Sequence, residues 1–148
     1  MTADSSITTV SSRANWTTAA MLLGRLIFAL VFIMAVTFKL IDHSATAGQI
    51  AAAGFPLPDL LAWLATFFEL ALIACLLTGA YFSEAALLAA AYVLLFAFSF
   101  HGPSHWAASE AEFGFFVDHF TLIAGLLFAA TRGPGPVLAV QLGWITPR

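Results

Sequence analysis

Apolar residues fall in four long runs, at about residues 18–40, 60–79, 84–101 and 115–131, and polar residues collect between them. Runs of roughly 20 apolar residues at a 1.5 Å rise make helices of about 30 Å, the thickness of a bilayer's hydrocarbon core. The pattern predicts an all-α polytopic membrane protein built as a four-transmembrane-helix bundle. Between the first two spans, IDHSATAGQIAAAGFPLPD predicts a short interfacial helix, capped by Ser44 and ended by Gly54. Pro56 and Pro58 then impose an extended approach, and Asp59 is the expected cap of the second span. Ser83 is the expected cap of the third, whose AALLAAAY stretch offers the small-residue face that lets membrane helices approach closely. Residues 102–114 read as an exposed loop.

Composition supports the same class. Hydrophobic residues make up 61% of the chain and charged ones 9%, and the mean hydropathy is +0.96. Soluble domains run near 45–50% and 25%. The net charge of −3 is small and scattered, which excludes an electrostatic case for nucleic acid. Cys75, the only cysteine, excludes an intrachain disulfide or a CxxC redox pair. Residues 1–15 are polar and read as a flexible tail ahead of a retained span, and residues 133–148 as a semi-apolar tail along the surface. Arg13, Arg132 and Arg148 flank the side shared by both termini, with Arg25 close to it, while Lys39 belongs to the other side. The bias of basic residues towards the cytoplasm then places both termini there.

Five ionisable residues lie within the predicted spans: Arg25, Lys39, Glu69, Asp118 and His119. Charge at that depth is costly, so these side chains should face the bundle interior as one buried polar seam. Arg25 and Lys39, 14 residues apart, share a face about 21 Å along the axis. Two readings of Glu69 stay open. It accepts a proton or a quinone hydroxyl with Arg25 or Lys39 answering its charge, or it forms a structural ion pair with Arg25 that fixes helix register. Lys39 and Asp118 form a second candidate pair, and the Asp118–His119 neighbourhood suits a proton relay or a hydrogen bond to a quinone carbonyl.

A metal site is not expected. His101 and His105 have chelating spacing, with His43 as a further weak candidate, but Gly102 and Pro103 break the helix that would give the spacing meaning. No haem, flavin, phosphate-loop or nucleotide motif is present in the sequence.

The segments GRLIFALVFIMAVTFKLID, AAGFPLPDLLAWLATFFELALIACLLTG, AALLAAAYVLLF and LIAGLLFAATRGPG together resemble the DoxX family of small four-span bacterial membrane proteins. The more specific elements are the GR then KL spacing, the turn of Gly54, Pro56 and Pro58, and an intramembrane glutamate followed ten residues later by glycine. Two departures stand out: Phe38 where the family usually has a small residue before the lysine, and Asp118–His119 where it has a Lys-Asn pair. The resemblance implies a bacterial plasma-membrane protein serving as an accessory subunit of a quinone-linked oxidoreductase assembly, with quinone as the implied cofactor. The expected partners are the lipid bilayer and a protein of a membrane complex; a homo-oligomer is compatible with the small-residue faces. A small-solute or proton pathway, and a non-catalytic assembly factor, are the alternatives the same seam admits.

Overall fold

The computed structural model describes the backbone of residues 4–107 and 109–145, with side chains from Trp16 onward. It contains five α-helices and no strand among these residues: α1 (Asp4–Ile41), α2 (His43–Ala52), α3 (Pro58–Thr78), α4 (Phe82–His101) and α5 (Glu110–Arg132), with a short 3₁₀ turn at Pro103–His105. Four stretches are long and apolar enough to span a bilayer: Trp16–Ile41, Pro58–Thr78, Phe82–His105 and Glu110–Arg132. The protein is a four-span helical membrane protein. α1 starts at Asp4, so residues 4–15, whose polarity suggested a tail, continue the helix; no glycine or proline interrupts them.

Helix starts differ from the expected caps. Asp42, not Ser44, caps α2: its carboxylate accepts from the Ala45 amide at 2.9 Å and from the Ser44 hydroxyl at 2.8 Å. α3 and α4 start after Leu57 and Tyr81, both left-handed and neither making a side-chain cap. Asp59 sits in the first turn of α3, and Ser83 is buried inside α4. Glu110 and Glu112, expected in a loop, open α5 behind a Ser109 cap, where carboxylates complement the helix dipole.

The α4 alanines are the packing surface. Ala85, Ala86, Ala89 and Ala90 are all buried against Phe32, Leu72, Leu76, Leu126 and Ala130. This core fills the half of the bundle near the start of α1, hereafter the near end. At the far end α2 lies across the bundle, burying Ala47 and Ile50 on Ala62.

The Asp42 cap carries a pH dependence. The Ala45 amide and Ser44 hydroxyl hold its carboxyl below the usual range. A lowered folded-state pKa gives stability that is present above about pH 3.9 and is lost as the pH falls through the folded value. Hydrogen exchange of the first-turn α2 amides, corrected for intrinsic rates, should accelerate on acidification below that range. The Asp42→Asn variant should lose this acid step.

Candidate functional site

Helical side chains lean towards the N-terminus of their own helix. Lys39, near the end of α1, therefore reaches back into the bundle, while Glu69 on the antiparallel α3 leans towards the far end. They meet, with Lys39 Nζ 2.9 and 3.0 Å from the two Glu69 oxygens. The Tyr92 hydroxyl of α4 donates to the same carboxylate at 2.7 Å. Glu69 is 2% exposed, and three helices converge on it.

Arg25 leans the opposite way, and the expected Arg25–Glu69 pair does not form. Its guanidinium donates instead to five backbone carbonyls: Leu76 (3.2 Å) and Leu77 (2.7 Å) at the end of α3, and Pro134 (2.9 Å), Val137 (2.9 Å) and Leu138 (2.8 Å) beyond α5. An α-helix leaves its last four carbonyls without intrahelical partners. In α3 all four are met: Cys75 by the Gly79 amide, Leu76 and Leu77 by Arg25, and Thr78 by the Val140 amide.

The second expected pair is also absent. Asp118 lies exposed on α5 with no ion pair or hydrogen bond among the described residues, because Lys39 is taken by Glu69. His119 faces α4 instead. Its Nδ1 donates to the Phe115 carbonyl at 2.6 Å, and its ring stacks on Phe96 at 5.9 Å. His101 Nδ1 donates to Glu112 at 2.7 Å, and the His101 and His119 rings are 5.1 Å apart. His105 points to Ser104, and His43 stacks on Trp63 at 4.5 Å. No three His, Cys, Asp or Glu side chains converge on a metal-sized position among the described residues.

Above the Lys39–Glu69–Tyr92 cluster lies a cavity of about 610 Å³ between α1, α3 and α4, roofed by Thr46, Gln49 and Ile50 of α2. Ligand pockets generally fall at about 300–1,000 Å³. Phe38, Phe55, Phe68, Phe96 and Phe100 wall it, while Lys39 and Tyr92 are the ionisable side chains lining it. Phe38, Leu64 and Leu95 border the cavity and are also exposed on the helix surfaces, so it communicates with the lipid side. Of Lys39's three ammonium protons, the carboxylate takes two. The third has only the Ala35 carbonyl at 3.4 Å, a weak contact that a better acceptor would displace.

The sequence alone did not single out Tyr92. A lone tyrosine deep in an apolar span was the available signal, since a buried phenol seeks a hydrogen-bond partner.

A four-span bundle with a buried lysine–glutamate–tyrosine cluster beneath a lipid-facing cavity defines a multi-pass membrane protein with an intramembrane polar site. Residues 20–102 match the DoxX family model, more than half of the chain, and the protein belongs to the DoxX family. That match takes in Arg25, Lys39, Glu69 and Tyr92 and stops before α5. No curated protein and no solved structure matches the chain.

The buried pair should show a double-mutant signature. Lys39→Met or Glu69→Gln alone strands a buried charge or weakens its pairing, and should lower unfolding stability in detergent by about 3–5 kcal/mol for the full loss of a partner. The combined Lys39→Met and Glu69→Gln variant, in which an amide oxygen still accepts from Tyr92, should recover most of that loss.

Proposed function

We propose that this protein is a quinone-binding membrane subunit of a bacterial redox assembly, with the cavity above Lys39 and Tyr92 as the headgroup site. The observation that carries the reading is an aromatic-walled cavity lined by both the Lys39 ammonium, whose remaining contact to the Ala35 carbonyl is long at 3.4 Å, and the Tyr92 hydroxyl. A quinone carbonyl accepts the Lys39 proton. A quinol hydroxyl, the reduced form, donates to the Tyr92 oxygen, so both redox states find a partner. The isoprenoid tail leaves past Phe38, Leu64 and Leu95 into the lipid.

Conversion of quinone to quinol takes two electrons and two protons. The single thiol of Cys75 offers no dithiol couple, so the electrons come from a redox centre on a partner subunit and the protons from the aqueous side. This chain contributes binding and orientation of the headgroup. The distribution of basic residues supports a plasma-membrane orientation with the near end cytoplasmic and the site in the outer half.

A short-chain quinone titrated into the protein in lipid nanodiscs, read by tryptophan quenching, tests this directly. Ala65 lines the cavity one helical turn before Glu69. Ala65→Phe fills the space without touching the ion pair and should weaken binding at least tenfold, about 1.4 kcal/mol. Equal binding by wild type and variant, or no saturable binding by the wild type, overturns the reading.

A further inference from the structure

The segment after α5 does not trail into solvent. It crosses the near end of the bundle and is bonded to three helices or their ends. Arg25 of α1 holds the carbonyls of Pro134, Val137 and Leu138. The Val140 amide donates to Thr78, the last residue of α3, and the Tyr81 amide ahead of α4 donates to Leu142. Glu84 of α4 accepts from the amides of Trp144 and Ile145, the latter at 2.7 Å. Gly79 and Gly143 permit the approach: an added Cβ would lie 2.9 Å from Ala139 and 3.0 Å from Glu84.

Its depth follows from α1. The apolar span opens at Trp16, whereas the strap touches Met21 through Gly135 and Arg25 through its carbonyls. Met21 lies five residues further in, about 8 Å along the axis, and the Arg25 side chain leans back from its own position towards that near-end level. Irregular backbone is tolerated towards the membrane when protein groups meet its polar atoms. On the side of the strap that faces the bundle, Arg25 and the Tyr81 amide meet the carbonyls of Pro134, Val137, Leu138 and Leu142, while Thr78 and Glu84 meet the amides of Val140, Trp144 and Ile145. Large apolar side chains stand exposed along the strap: Val137, Leu138, Val140, Leu142, Trp144 and Ile145, with Leu138 78% and Trp144 84% exposed although the Trp144 ring keeps an edge contact with Tyr81 at 5.2 Å.

We propose that residues 134–145 form a lipid-embedded strap, and that the bilayer itself covers this apolar stripe at the boundary between headgroups and acyl chains. Trp144, like Trp16 an exposed tryptophan at the near end, then anchors in the interfacial aromatic belt. The proposal is independent of the quinone reading.

The test uses a variant whose only tryptophan is Trp144 (Trp16→Phe, Trp63→Phe, Trp106→Phe), reconstituted in phosphatidylcholine vesicles. The expected result is blue-shifted emission, strongest quenching by lipids brominated near the headgroup, and weak quenching by aqueous acrylamide. Red-shifted emission open to acrylamide but not to brominated lipid overturns the proposal, and so does blue-shifted emission insensitive to bromine, the mark of a protein cover. If that variant does not fold, a Cys75→Ser and Leu142→Cys protein carrying an environment-sensitive fluorophore gives the same three-way reading.

Discussion

A carboxylate halfway along an apolar helix has few ways to persist in a bilayer, and the arrangement of α1, α3 and α4 around Glu69 answers that constraint. One cation and one phenol from two other helices supply its donors at 2.7–3.0 Å. Once three helices are committed to one buried anion, their register is limited to positions where Lys39 and Tyr92 still reach it. Breaking such a cluster leaves an uncompensated charge, so the constraint acts on specificity as much as on stability. The cavity is a by-product of the same commitment. The alanines of α4 draw the near half of the bundle together, while the phenylalanines further along hold the far half apart around the lysine head.

Much of the fold was legible in the sequence because a bilayer imposes a length. Four apolar runs and the alanine-rich segment between Pro56 and the first span required no tertiary information. Boundaries were less legible, since α3 and α4 start from left-handed Leu57 and Tyr81 with no capping side chain to announce them. α2 begins two residues earlier than expected because Asp42 outcompetes Ser44, whose own hydroxyl is used on Asp42.

The site was legible as a set of residues and not as a set of pairs. Axial position along two antiparallel helices brings Arg25 and Glu69 near one another, but it ignores the lean of each Cα–Cβ bond, which separates them and joins Lys39 to Glu69 instead. Arg25's true acceptors are main-chain carbonyls, which have no sequence signature. Asp118 lost its expected partner because Lys39 is committed to Glu69, and Tyr92 was hidden inside an otherwise apolar run.

The guanidinium at the near end also has a bearing on biosynthesis. Three of its five acceptors lie 109 to 113 residues later in the chain, so a ribosome delivers them only after the four spans. Throughout insertion of the later helices Arg25 has only the carbonyls of Leu76 and Leu77 within the finished hairpin of α1 and α3. Completion of its coordination waits on the segment that follows α5, which makes a single arginine the recorder of whether the fourth span is in place.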